Sequence, residues 1–351
     1  MQSYVSPPGI AHGPYDIATD DMAAALRRRH PELAEHPDVL AAARAVTGGR
    51  RRRVHPCHEG REPTPYTSED RPGDLRTLTQ QACRHALQRA GVAAQDVGGL
   101  VVVQDPPPAE DDPFLDSDLV LTLGLPPTTA RVPLTGLSTT GAVHALIVAQ
   151  DMTRADRPVL VVAAGIHPPL PAADSRSTTP TALARQLMVS DGAAAVLVSN
   201  DALATPGLVI DETWQYARCD NHASPHSGDY QAEDHPGLAA LPWLRPGQEL
   251  PDFALVHPGG PTPLHSLAAT HPLPQNALET SLTSIADDGD LGAASVLRML
   301  ARLHQQPPAA ESHGLLLGLA PGHLAAACRV RWTTSATSQQ KRPKLAHKAG
   351  C

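Results

Sequence analysis

The chain has 351 residues, 41% of them apolar and 18% charged, which is enough apolar material for a large core and too little charge for general disorder. Aromatics reach only 3% and the formal net charge is −8, which argues against a nucleic-acid-binding protein. No run approaches the ~20 apolar residues of a membrane span, and the start MQSYVSPPGIAHGPYD lacks a basic-then-apolar leader, so a cytoplasmic protein is expected.

Charge is unevenly placed. Residues 333–351, TTSATSQQKRPKLAHKAGC, hold all three Lys residues plus Arg342 and no acid, a local +4 that leaves −12 on the remaining 332 residues. A basic flexible tail is expected there, because it has almost nothing to bury. The five cysteines are scattered without a CxxC pair, and no HExxH occurs. His55, Cys57 and His58 cluster in a Pro- and Arg-rich stretch without a second group at ligand spacing, so no metal is expected.

In chain order, TDDMAAALRRRHPELAEHPDVLAAARAVTGG predicts two helices broken at Pro31 and Pro37 and stopped at Gly48-Gly49. Arg50 to Gly73 reads as an extended surface segment. DLRTLTQQACRHALQRAG is a helix, GGLVVVQD a buried strand, SDLVLTLGL a helix, VPLTGL a strand and TTGAVHALIVAQDMTRA a strongly apolar helix. RPVLVVAAG, DGAAAVLVSND, GLVIDETWQYARC and PDFALV predict further strands. LGAASVLRMLARLHQQ is a helix with one apolar side, and SHGLLLGLAPGHLAAACRVRW gives two strands around a turn. Buried strands alternating with helices point to α/β layers with covered sheets.

Three segments carry candidate chemistry. In VPLTGLSTTGAVHAL a strand turns through Gly136 into a helix, so Ser138, Thr139 and Thr140 sit over free N–H groups that stabilise oxyanion charge; a plain helix cap is the alternative. His257, at the end of FALV and before Pro258-Gly259-Gly260, is either a base facing a crevice or a structural imidazole. Asp287, Asp288 and Asp290 enter a helix, where an acidic cap is equally well explained.

Together these segments resemble the thiolase-fold condensing enzymes of the chalcone-synthase-like type, the type III polyketide synthases, with kinship to ketoacyl synthase III. VPLTGLSTTG is similar to the family's VPLxGLGCxxG, VSDGAAAVLV to FGDGAAAVVV, FALVHPGGPTPL to WxxHPGGPxIL, GDLGAASVL to GNMSSAxVL, and LLLGLAPG to LFGFGPG. The similarity covers roughly residues 70–332 well. It implies an α/β, thiolase-like five-layer αβαβα fold with two pseudo-equivalent halves, residues 1–185 and 186–332, ahead of the tail. It also implies a homodimer with no permanently bound cofactor, taking an acyl-CoA or acyl-phosphopantetheine on a carrier protein as substrate. Arg50, Arg51, Arg52 and Arg53 are then candidates for the CoA phosphates. Ser138, Val189, Gly259, Gly260, Leu319 and Pro321 are expected to line the pocket.

By the same alignment Thr139 stands where the family has its cysteine nucleophile, His257 matches the catalytic histidine, and Asp290 replaces the family's asparagine. A threonine hydroxyl is not ionised near neutrality, and a carboxylate beside an enolate has the wrong sign. A hydroxyl–His–Asp triad from Thr139, His257 and Asp290 is therefore expected to move an acyl group onto a small acceptor without loss of carbon dioxide. A catalytically silent partner of an active homologue, and a modified type III synthase that still condenses, are the alternatives.

Overall fold

The structure is a computed structural model that describes residues 2–54, 74–105, 115–153, 157–167, 179–201, 203, 206–217, 238, 241–245, 247–257, 259–320 and 324–334. The tail from 335 onward, the His55, Cys57 and His58 group, and Pro321 lie outside the described residues. Strands β1 (Ser3–Val5), β2 (Gly9–His12) and β3 (Tyr15–Ala18) lead into helices α1 (Thr19–Arg29) and α2 (Pro37–Val46), followed by β4 (Arg50–Arg53). Then come α3 (Asp74–Ala90), β5 (Gly99–Asp105), α4 (Leu115–Leu123), β6 (Ala130–Thr135), α5 (Gly141–Met152), β7 (Val159–Gly165), α6 (Pro180–Arg185) and β8 (Gly192–Ser199). The chain continues through β9 (Gly207–Ala217), β10 (Phe253–Val256), α7 (Pro261–Thr270), α8 (Gln275–Asp288), α9 (Ser295–Leu303), β11 (His313–Ala320) and β12 (Leu324–Thr333).

The pairing repeats. In the first half β5 runs parallel to β6 and β7, β7 is antiparallel to β8, and β8 is antiparallel to β2. In the second, β10 is parallel to β11, β11 antiparallel to β12, and β12 antiparallel to β9. β1 pairs with both β8 and β9 and joins the halves into a ten-stranded ladder among the described residues. Because β8 pairs within the first half, the division between the halves falls between β8 and β9, not at 185/186 as the sequence suggested.

Strand alternation sorts the side chains into layers. Val101, Val103, Val161, Ala194 and Val196 of the first half share a core with Phe253, Leu255, Leu316, Ala326 and Cys328 of the second, and α5 and α9 fill the space between. The opposite face of the first half, with Leu100, Val102, Leu160 and Ala195, is covered by α3 and α4. The opposite face of the second half, with Ala254, Val256, Leu315 and Leu317, is covered by α7 and α8. The order is helix, sheet, helix, sheet, helix: five layers. α5 occupies the middle because GAVHALIVAQDM is apolar almost all round, and such a helix needs protein on every side. Pro31 and Pro37 each open a helical segment instead of continuing one, and α1 and α2 pack with α6 around Leu26, Leu40 and Leu187 in a satellite core.

Candidate active site

The pseudo-symmetry brings two equivalent loops to the centre. A one-turn 3-10 segment, Ser138–Thr140, precedes α5 in the first half, and another, Gly292–Ala294, precedes α9 in the second. Thr139 lies just past the carboxyl end of β6, His167 past that of β7 and His257 past that of β10, where ligands of layered α/β proteins gather.

Ser138 has a φ of 48°, the left-handed region that favours glycine. This turn aims the next residue inward, and the Thr139 hydroxyl donates to the main-chain carbonyl of Leu319. A Cβ on Gly318 would stand 2.8 Å from the Thr140 Cα, so the turn rests directly on β11. The Thr140 hydroxyl donates to the Leu137 carbonyl at 2.7 Å and closes the loop on itself.

His257 is fixed at the end of β10 by its N–H bond to the Leu317 carbonyl, 2.8 Å, and its side chain is only 3% exposed. Its Nε2 lies 3.2 Å from Asp290 Oδ1. The same oxygen accepts from the Gly292 N–H and the Ser295 hydroxyl, each at 2.8 Å. Burial alone would raise the Asp290 carboxyl, but the His257 imidazole and its hydrogen bond, with help from His167 and Ser295, hold it well below the usual carboxylate range. Asp290 is therefore an ionised acceptor and His257 Nε2 must carry the donated hydrogen.

That arrangement differs from the expected triad. A hydroxyl–His–Asp relay needs the acid on one ring nitrogen and the hydroxyl on the other. Here Asp290 holds Nε2, Nδ1 faces Gly259, and among the described residues no hydrogen bond joins Thr139 to His257.

Val189 forms an isolated parallel bridge with Asp290, and the Asp290 main chain is clamped between the Met188 carbonyl (2.7 Å) and the Ser190 N–H (2.9 Å). Gly260 has a φ of 116° at the start of α7, a conformation other residues rarely adopt. The Arg run is not the surface segment expected: Arg50–Arg53 is a strand paired with β3. Arg51 is buried and donates to the carbonyls of Leu187, Arg50 and Ala286, and burial lowers its pKa to about 10. Arg53 is buried on Asp191 at 3.1 Å. Neither reaches a phosphate at the surface, which corrects half of that group; Arg50 and Arg52 are exposed and share Asp16.

The sequence reading missed His167, Asp191 and Ser295. Asp191 sits inside the VSDG motif and His167 at a strand's carboxyl end, two signals that were present in the sequence. Among the described residues no group of three or more His, Cys, Asp or Glu is placed to hold a metal ion.

No protein-family model matches the chain. Over 279 residues it is 28% identical to 1,3,6,8-tetrahydroxynaphthalene synthase of Streptomyces peucetius subsp. caesius, a match spanning 73% of this chain and 72% of that protein. Germicidin synthase from Streptomyces coelicolor, a type III polyketide synthase, superposes with a TM-score of 0.75 at 23% identity, covering 95% of this chain and all (100%) of that one. The 1,3,6,8-tetrahydroxynaphthalene synthase of Streptomyces coelicolor A3(2), a bacterial type III polyketide synthase, gives a TM-score of 0.77 at 21% identity with the same coverage, 95% and 100%. The fold is that of the type III polyketide synthases.

This overturns the expected ester- or amide-forming acyltransferase. The proteins this chain is similar to are condensing enzymes, the two Streptomyces coelicolor structures being type III polyketide synthases, and not ester- or amide-forming transferases. The triad on which the acyltransferase reading stood also lacks its Thr139–His257 link. Oδ1 of Asp290 carries three donors, which offset part of the charge that a carboxylate would set against an enolate.

Proposed function

We propose that this protein is a condensing enzyme of the type III polyketide synthase kind, which joins acyl units from CoA thioesters through carbon–carbon bonds with loss of carbon dioxide. The reading is supported by a fold shared with such synthases, together with the buried His257–Asp290 pair.

Decarboxylation of a malonyl thioester leaves an enolate whose oxygen needs positive potential. The amino end of α5 supplies part of it beside Thr139. The Thr139 hydroxyl is committed to the Leu319 carbonyl, so the acyl donor stays on CoA instead of moving to this residue. Of the arginine run, the exposed Arg50 and Arg52 are the members open to the CoA phosphates.

The protein acts as a homodimer in this reading. Among the described residues β6 is the outer strand of the ladder, with Pro133 exposed, and the neighbouring helix α4 carries Leu121, an apolar side chain that is 80% exposed.

The test is incubation with malonyl-CoA and a panel of acyl-CoA starters, following carbon dioxide and products by mass spectrometry. Chain-extended ketones with stoichiometric carbon dioxide are expected. Esters or amides formed without carbon dioxide, or no turnover, would overturn the proposal.

A further inference from the structure

His167 is a second imidazole at the centre, and its environment is the reverse of that of His257. Its main-chain N–H donates to Asp191 Oδ1 at 2.8 Å, and its Nδ1 lies 3.2 Å from the same oxygen. Asp191 is completely buried; its other oxygen accepts from the Val54 N–H at 2.8 Å and from Arg53 Nε at 3.1 Å. Burial opposes its charge, but the Arg53 guanidinium and the bonds from His167 keep the carboxyl below its usual range. An ionised carboxylate only accepts, so Nδ1 of His167 is the donating nitrogen.

That leaves Nε2 as the nitrogen turned toward the Gly292 loop that carries Asp290. It lies 3.7 Å from where a Cβ on Gly292 would be, and the Gly292 N–H binds Asp290 Oδ1. The His167 side chain is 21% exposed against 3% for His257. Of the two rings, His257 has its Nε2 hydrogen committed to Asp290, whereas His167 is held from behind and its Nε2 has no hydrogen-bond partner among the described residues.

We propose that His167 is the imidazole that meets the thioester oxygen, with Asp191 as its positioning residue and Arg53 anchoring Asp191. For the identity of the substrate this rests on the condensation reading above; for the geometry it does not. As carbon dioxide leaves, the bond between the malonyl carboxylate and the α-carbon breaks. Its electron pair enters the enolate, whose charge gathers on the thioester oxygen. The protonated ring donates an Nε2–H hydrogen bond to that oxygen and keeps its proton, while Asp191 accepts from Nδ1. The enolate carbon then attacks the starter acyl thioester and expels CoA thiolate, or, with malonyl-CoA alone, takes a proton from water to give acetyl-CoA. Among the described residues the charged and titratable groups facing His167 are Asp191 immediately before β8, Arg53 from β4, and Asp290 with its partner His257.

The experiment measures carbon dioxide release from malonyl-CoA across pH 6 to 9 for wild type, His167→Gln and His167→Ala, alongside ¹⁵N histidine spectra of the substrate-free protein. Wild-type turnover is expected to fall with rising pH along one ionisation. His167→Gln, whose amide donates at every pH, should be slower by about tenfold but flat with pH, and its KM should stay within about threefold. Loss of an oxyanion donor costs roughly 10²-fold in kcat or more, which is the expectation for His167→Ala, with partial rescue by added imidazole. The spectra should show the neutral His167 ring protonated at Nδ1. Wild-type kcat in His167→Ala, an unchanged pH profile in His167→Gln, or an Nε2-protonated neutral ring would each overturn the proposal. A wild-type protein that releases no carbon dioxide would overturn the condensation reading and the catalytic role with it, while the spectra still decide whether Asp191 holds the ring.

Discussion

Gly165, the last residue of β7, is pressed against the loop that carries Asp290: a Cβ at Gly165 would stand 2.1 Å from the Leu291 carbonyl oxygen. The neighbour is main chain and cannot swing aside, so an added methyl must push the loop. Gly165→Ala is expected to cost on the order of 1–3 kcal/mol in urea unfolding and to lengthen the Asp290–His257 contact. Wild-type stability in this variant would mean the loop is looser than its packing implies.

Ser138 sits in a left-handed conformation beside Thr139, at a position where the sequence resemblance implies a glycine in the type III synthases. A side chain there costs roughly 1–2 kcal/mol, partly offset by the lower entropy of a non-glycine unfolded chain. Ser138→Gly should therefore stabilise the protein by about 0.5–1 kcal/mol, read as a higher urea midpoint at constant m-value. Ser138→Val should do the opposite, because β-branching is poorly tolerated at positive φ. A destabilised glycine variant would show that the serine side chain makes up for its strain.

Much of this was legible in the sequence because both strand alternation and motif order survive in it. LVVV, VLVVAA and AAAVLV read as buried strands, and each splits its residues between two cores as a covered strand must. What was hidden came from distance. Arg51 and Arg53 look like a solvated charge run, and only the partners brought in by the fold (the Leu187 and Ala286 carbonyls and Asp191) make them interior residues. The alignment pointed to Asp290 beside His257, but no spacing rule tells which ring nitrogen it takes. That single detail separates a relay from a dead-end pair.

The two buried carboxylates make a statement about acid. Asp290 and Asp191 both titrate below the usual range in the folded protein, Asp290 through His257 and Ser295 and Asp191 through Arg53 and His167, in each case against the opposing effect of burial. A depressed folded pKa contributes stability that is present above the unfolded value, about 3.9, and is lost as pH falls through the folded one. Wild-type melting temperature is thus expected to drop between about pH 5 and about pH 3, and Asp290→Asn, lower at pH 7, should show a shallower drop. Parallel curves for the two proteins would remove Asp290 as a source of the acid sensitivity.

The last prediction concerns Thr139 and Asp290, which the sequence resemblance sets against the type III motif's cysteine and asparagine. Thr139→Cys puts a thiol with an ordinary pKa of about 8.5 at the site, a far better nucleophile than a hydroxyl bound to the Leu319 carbonyl. Incubated with acetyl-CoA, this variant should acquire an acyl adduct by intact mass, whereas wild type should not, and Thr139→Ala should keep most wild-type turnover. Asp290→Asn preserves an oxygen for the three donors now on Oδ1 and swaps the second carboxylate oxygen for an N–H donor. A bare carboxylate 4 Å from an enolate would oppose it by about 4 kcal/mol at an effective dielectric of 20, and the three donors cancel only part of that. Asp290→Asn should accordingly raise carbon dioxide release from malonyl-CoA by about tenfold. Combined with Thr139→Cys, its effect is expected to multiply, since one change acts on loading and the other on decarboxylation. Slower decarboxylation in Asp290→Asn would mean that the carboxylate itself serves the reaction, and an unmodified cysteine variant would mean that the acyl group never reaches position 139.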